Sequence, residues 1–233
     1  MLDRNVCIQF HTPKVLALIN RIGHGPEIHQ QFGKRGFYLH SLFRIKDIFE
    51  GFLRHSMELG RSFVIPEYQK NPYALFILWK GILYYLLKNE ELKYIIGPVS
   101  ISNQYSKVSK SLMIDFIQEN YFDKAKAAFI SPRNRFKYKR SKNRTPLKPK
   151  NIKELESLIE EMEPAHFKLP ILLKKYLKQN ARIIGFNVDP KFNNTLDGLM
   201  YLNIDHVNLE TIQLLAKEVE DPSVLERFGY IPH

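Results

Sequence analysis

Between residues 73 and 87 the chain runs through its longest apolar stretch, broken near the middle by Lys80. A membrane span needs roughly 20 consecutive apolar residues, and this stretch is shorter. Asn71 can cap a helix there, and Pro72 suits the first helical position. The pattern predicts a helix over 72–87 that is buried or lines a groove. Strand-like segments flank it. Residues 57–65 end at Pro66, and residues 94–99 contain Gly97-Pro98, which marks a bulge or an edge. A strand, a helix and another strand in succession argue for an α/β fold around a mixed sheet.

The remaining segments extend that alternation. Residues 14–22 read as a strand ended by Gly23-His24-Gly25-Pro26, and 36–43 as a second short strand. Ile45, Ile48, Phe49, Phe52 and Leu53 have helical spacing over 45–55. Val108, Leu112, Met113, Phe116 and Ile117 form one stripe of an amphipathic helix over 107–120. An acidic helix is expected over 151–163, and another from Leu169-Pro170 to Gln179. Strands over 182–188 and 198–204 are joined by the turn Asp189-Pro190-Lys191-Phe192-Asn193-Asn194, and 209–219 reads as a closing helix. We expect residues 1–233 to form one domain.

Charge is distributed unevenly. The formal net charge is +11, and residues 131–150 hold nine Lys or Arg and no acid, leaving +2 for everything else. Such a segment binds nucleic acid, anionic lipid or an acidic protein, or is a solvated loop. Its aromatics, Phe136 and Tyr138, are too few for a base-stacking platform, so nucleic acid ranks last. The single cysteine, Cys7, excludes an internal disulfide framework and fits a reducing compartment. No CxxC or HExxH spacing is present and the eight histidines are scattered, so no structural metal is expected. Residues 1–12 lack the apolar region and small-residue site of a secretory leader. The expectation is a cytoplasmic protein, peripheral at the inner face of the membrane.

Three stretches together carry a resemblance. They are Glu58-Leu59-Gly60-Arg61-Ser62-Phe63-Val64-Ile65-Pro66-Glu67-Tyr68, then Ile96-Gly97-Pro98-Val99-Ser100-Ile101-Ser102, and a third that opens at Leu169-Pro170. The third continues through Lys174-Lys175-Tyr176-Leu177 and Gly185-Phe186-Asn187-Val188-Asp189-Pro190 to Phe192 and Asp197-Gly198-Leu199. In combination they resemble the bacterial hemolysin-like, ornithine-lipid-synthase-like N-acyltransferases of the GNAT superfamily, over residues 15–205. The resemblance implies a GNAT-like mixed central sheet flanked by helices. It also implies transfer of an acyl group from a thioester, usually on acyl carrier protein, to the α-amine of an amino acid, with ornithine and glycine lipids as products. Family members have a further strand and helices before the stretch matching 15–22, and only about a dozen residues precede it here. The resemblance therefore implies a chain lacking that N-terminal portion. In longer relatives such a domain looks like the C-terminal half of a protein that also carries a phospholipid-type acyltransferase. The HxxxxD motif of that neighbour is absent.

Amine attack on a thioester needs a deprotonated amine, a polarised carbonyl and a slot for the carrier arm. Glu58 is the candidate base; its alternative is a structural ion pair with Arg61 or Arg54. Arg61 has a planar fork suited to a carboxylate or phosphate, or it is a buried arginine bonded to carbonyls. Ser62 is a candidate for stabilising the oxyanion or leaving thiolate, or it is a satisfied core hydroxyl. Gly97, Ser100 and Ser102 sit where a splayed strand would pair with pantetheine amides, and a plain bulge explains Gly97 nearly as well. The Gly-rich pyrophosphate loop of coenzyme A-dependent relatives is missing. The chain reads Pro66-Glu67-Tyr68-Gln69-Lys70-Asn71-Pro72 instead, leaving the helix start at Asn71 to receive a phosphate. That favours acyl carrier protein over acyl-coenzyme A as co-substrate, with no bound cofactor. Phe76, Trp79, Tyr84 and Tyr85 line an acyl tunnel or are ordinary core. Asp189, Asn193, Asn194 and Asp197 build a turn, and the resemblance adds a role on the acceptor side. The basic 131–150 loop suits an acidic carrier protein or an anionic bilayer. The rival reading is a non-catalytic remnant or interaction module of a larger two-domain lipid acyltransferase. It predicts an open sheet edge near Val15.

Overall fold

The computed structural model describes residues 6–11, 16–64, 66–69, 72–137, 148–164, 167–207, 210 and 212–214. At 6–11, 16–20, 61–64, 68–69, 72–76 and 87 the description covers the backbone alone. In chain order the elements are β1 (Val6–His11), β2 (Leu16–His24), α1 (Gly25–Phe32), α2 (Leu39–Leu42), β3 (Phe43–Ile45), α3 (Glu50–Leu53) and β4 (Ser56–Val64). There follow α4 (Pro66–Gln69), α5 (Pro72–Lys88), β5 (Tyr94–Ile101), α6 (Lys107–Asn120), α7 (Lys124–Ala127) and β6 (Ile130–Pro132). The chain continues through α8 (Ile152–Met162), α9 (Ile171–Lys178), β7 (Arg182–Asp189) and β8 (Thr195–Asn203). The fold is a mixed α/β arrangement, with strand order β1-β2-β4-β5-β8-β7 and a separate pair β3-β6.

By its internal contacts the chain divides into two compact units. The first comprises 1–38, 48–97 and 202–233, and the second 39–47 and 98–201. In the first unit, β1 pairs antiparallel with β2, β2 antiparallel with β4, and β4 parallel with β5. The parallel pair requires a crossover, which α5 supplies. Leu78, Trp79, Ile82, Leu83 and Leu86 of α5 are buried, a single face at helical spacing. Lys80, which interrupts the apolar run, is partly exposed. Tyr84 faces solvent with the Lys88 ammonium 5.6 Å from its ring centre. Thus Trp79 is core and Tyr84 surface, Tyr85 is half-buried, and the Phe76 side chain lies outside the described residues.

Three sequence readings between residues 6 and 55 are corrected. No strand was assigned before residue 14, yet Val6–His11 forms one, so β2 is not an open edge. Val6, Ile8 and Phe10 alternate with Cys7, Gln9 and His11, the period-2 pattern of a strand. A strand expected over 36–43 is instead a 3-10 turn over Gly33–Gly36, a short helix and the start of β3. The helix expected over 45–55 begins only at Glu50, after β3 and a 3-10 turn over Asp47–Phe49. Helix α1, read only as a strand stop, starts at Gly25 with Pro26 in its first turn, and no side chain fits at Gly25. A Cβ on Gly25 would lie 2.1 Å from the Ser56 carbonyl oxygen. His24 precedes it, buried, with Nε2 2.8 Å from Glu91 Oε1.

The second unit holds the hairpin β7–β8 and the helices α6, α8 and α9. Met113, Ile114, Phe116 and Ile117 of α6 and Leu155 and Ile159 of α8 are buried. The start of α8 was legible: Asn151 caps it by accepting from the Glu154 amide at 2.9 Å. The expected closing helix over 209–219 lies almost entirely outside the described residues. Among the described residues no helix is long and apolar enough to cross a membrane, and no group of three or more His, Cys, Asp or Glu is placed to hold a metal ion.

Candidate functional site

In the first unit the informative feature is where β4 and β5 meet. Their parallel register runs Ser56–Tyr94, Met57–Ile95 and Glu58–Ile96. Among the described residues it ends there, although β4 continues to Val64 and β5 to Ile101. At the end of the paired stretch, Gly97 lies so near Leu59 that a Cβ would stand 2.3 Å from its carbonyl oxygen. Gly97 is therefore required by the close approach of the Leu59 backbone.

Glu58 is buried, and its Oε2 accepts a hydrogen bond from the Tyr38 amide at 2.8 Å. Arg54, one expected ion-pair partner, donates through Nε to His29 at 3.2 Å, and His29 Nε2 lies 2.6 Å from Glu50. Arg61 and Ser62 lie on β4 with their side chains outside the described residues, and Asn71 lies outside them altogether.

The second unit gathers polar residues on one face of β7–β8. Asn187 pairs with Asp197 and Asp189 with Thr195. Opposed residues of an antiparallel pair share a face, as do residues two apart on one strand. All four side chains are buried. The Asn187 Oδ1 accepts from the Asn134 amide at 2.8 Å, and Val188 N donates to the Asn134 carbonyl at 2.8 Å. The first residues of the basic segment are thereby tied to β7. Arg133 adds a backbone bond to Leu42 and an Nε bond to the His40 carbonyl. Residues 138–147 of that segment lie outside the described residues. Asp189 Oδ1 accepts from the Lys191 amide at 2.9 Å, an Asx-type turn. Asn193 and Asn194 are exposed at φ 50° and 52°, left-handed positions that asparagine tolerates, so Asn194 builds the turn.

Asp197 differs from its neighbours. Ser100, exposed on β5, donates its hydroxyl to Asp197 Oδ1 at 2.7 Å. Burial pushes the Asp197 carboxyl up from 3.8 to about 6, opposed by the Ser100 hydrogen bond and assisted by the negative charge of Asp189. Sequence reasoning set Ser100 on the carrier side and Asp197 on the acceptor side; the structure brings the two into contact.

Ser102, the third of these candidates, lies just past β5 and begins the turn into α6: its Oγ accepts from the Gln104 amide at 3.2 Å. Ser106 caps α6 by accepting from Ser109 N at 3.1 Å. The buried Glu163 accepts from the Ser106 amide at 2.9 Å. The buried Lys110 donates to Asn103 Oδ1 at 2.8 Å. Sequence reasoning missed Glu163, Lys110 and Asn187. Asn187 lay within a quoted motif, but nothing local marked it as fully enclosed.

With this geometry described, the comparisons with known proteins add a family context. The model of the acetyltransferase (GNAT) domain matches residues 6–80. A glycine N(alpha)-acyltransferase of Phocaeicola vulgatus is 26% identical over 161 residues, covering 65% of this chain and 43% of that protein. A glycine N(alpha)-acyltransferase of Bacteroides thetaiotaomicron is 26% identical over 160 residues, covering 65% of this chain and 42% of that protein. The chain thus spans less than half the length of these curated relatives. No solved structure matches it. The chain is thus similar to the GNAT domain over residues 6–80 and, over about two thirds of its length, to proteins named as acyltransferases.

Proposed function

We propose that this chain is an amino-acid N-acyltransferase, moving a long acyl chain from a carrier thioester to an α-amine. The observation that carries this reading is the parallel register of β4 and β5, which among the described residues ends at Glu58–Ile96 while β4 runs on to Val64. Beyond Glu58 the edge of β4 that faced β5 offers amides and carbonyls to an extended arm, the way peptides add to a sheet. Pantetheine, with two amides, is such an arm. The amine attacks the thioester carbonyl, the C–N bond forms as the C–S bond breaks, and the thiol leaves with one proton while another is released from the ammonium.

The relatives named glycine N(alpha)-acyltransferase make glycine the first acceptor to test, with ornithine as the second. Acyl carrier protein is the proposed donor, because the segment from Pro66 to Pro72 contains no glycine to wrap a pyrophosphate. The products are N-acyl amino acid lipids of the glycine-lipid or ornithine-lipid type. The basic segment 131–150 serves encounter with the acidic carrier or with an anionic membrane surface at the cytoplasmic face. On this reading the chain works alongside a phospholipid-type acyltransferase domain or protein. Glu58, on β4, holds the Tyr38 amide and so acts as a positioning residue.

The test is the lipid profile of a bacterial host expressing the chain, followed by assay of the purified protein with glycine or ornithine and each donor. New N-acyl amino acid lipids, and faster turnover with acyl carrier protein than with acyl-coenzyme A, are expected. A folded chain that yields no such lipid in the host and no transfer in the purified assay refutes the proposal and favours the non-catalytic module. Faster turnover with acyl-coenzyme A refutes the choice of donor alone.

A further inference from the structure

Resting on the acyltransferase reading, we propose that Ser100 and Asp197 form the proton relay that deprotonates the acceptor amine. The amine enters as an ammonium and cannot attack until it loses a proton. Ser100 is the exposed end of the pair and Asp197 the buried end, joined at 2.7 Å. In the step inferred, the Ser100 oxygen takes a proton from the ammonium as its own hydroxyl proton passes to Asp197 Oδ1. The serine is unchanged, the carboxylate becomes the acid, and the neutral amine is free to attack the thioester. The acid later returns its proton to solvent. Ser100 is the catalytic residue, and Asp197 acts through it.

The pair is built for this. Ser100 lies three residues beyond Gly97 on β5, past the register with β4, whose edge is offered to the carrier arm. A buried aspartate with one hydroxyl partner is a poor structural choice, because burial penalises its charge. The same burial makes it a better proton acceptor, a recurrent feature of functional groups. Asp197 sits with its carboxyl near 6, so at neutral pH it is ionised and ready to receive. Among the described groups, Asp189 opposite on β7 supplies the charge that acts on it, and Ser100 on β5 supplies the hydrogen bond. Asn187, directly across on β7, is neutral and donates to the Val188 carbonyl. Lys191, in the hairpin turn, meets Asp189 through its backbone amide. Glu58, by contrast, spends an oxygen on the Tyr38 amide.

The experiment measures transfer rate against pH, from 5 to 9 by roughly half-unit steps, for the full chain with glycine and the better donor. General base catalysis contributes about 10²–10⁴-fold. Asp197→Asn, with its fold checked by circular dichroism, is therefore expected to lose at least about 100-fold and to lose the acid limb near pH 6. Ser100→Ala is expected to lose a similar factor, with Ser100→Thr restoring much of it. Asp189→Asn keeps the carbonyl that accepts from Lys191 but removes the neighbouring charge, so the acid limb should move to lower pH. That shift is one a merely structural role for Asp197 would not produce. Wild-type rate and an intact limb in Asp197→Asn overturn the relay, as does an unmoved limb in Asp189→Asn. A wild-type chain that transfers nothing overturns the acyltransferase reading itself, and the relay with it.

Discussion

Replacing Asp197 by Asn should make the protein more stable at neutral pH, and the gain should vanish in acid. The carboxyl is raised from 3.8 to about 6, first by burial, with Ser100 opposing and Asp189 adding. A carboxyl whose folded value lies above its unfolded value binds more protons folded than unfolded between those two values. Stability on its account is greatest below about pH 4 and falls as pH rises through 6. At 1.36 kcal/mol per pH unit, ionising this group inside the fold costs ~3 kcal/mol. Ser100 opens to solvent, and relaxation there reduces the figure to about 1.5 kcal/mol. Asn has the same shape, accepts the Ser100 hydrogen bond and carries no charge. For a chain of this size, where 1 kcal/mol moves the midpoint by ~2–4 °C, the variant should melt about 3–6 °C higher at pH 8. The assay is thermal unfolding of both proteins at pH 4, 6 and 8, followed by circular dichroism. A gap between variant and wild type that does not change with pH refutes the reasoning, as does a variant less stable at pH 8 than at pH 4 relative to wild type. Paired with the expected loss of transfer, a gain in stability would mark Asp197 as a residue kept for chemistry at a cost to the fold.

Gly97→Ala forces a Cβ to within 2.3 Å of the Leu59 carbonyl oxygen. Strands β4 and β5 must separate, and a loss of about 2–3 kcal/mol is expected, read as a fall in melting temperature. An unchanged melting temperature would contradict the close approach. Glu163→Ala removes the carboxylate at the start of α6 and should lose about 1–2 kcal/mol in urea unfolding at pH 7. Burial alone would push the Glu163 carboxyl up, but hydrogen bonds from Ser109 and Ser106 and the charge of Lys110 outweigh it and hold it below 4.5. Its contribution is therefore complete above that value and is lost as pH falls through the depressed one, so the cost of the mutation should shrink in acid. A cost that grows in acid would count against the capping role.

Much of the architecture was legible because it is decided locally. Pro72 and the apolar face from Leu78 to Leu86 mark α5, and Asn151 marks the start of α8. The Asp189 to Asn194 turn follows from residues that tolerate left-handed backbone or bond to their own amides. The misreadings fell where short segments lack a full period. Residues 36–45 hold too few residues to separate a strand from a helix, and tertiary contacts chose 3-10, helix and strand in turn.

The candidate site divides along the same line. From the sequence alone came the α/β order, the motif strands, and Ser100, Asp197 and Asp189 as residues worth watching. Tertiary structure alone decided that Ser100 and Asp197, 97 positions apart, share a hydrogen bond. It also decided that Glu58 serves the Tyr38 amide, and that Asp189 and Asp197 share a buried face. The physical reason is that helix caps, turns and periodicity depend on neighbours a few residues away. Desolvation, charge coupling and the partner of a carboxylate depend on what a distant strand brings beside it.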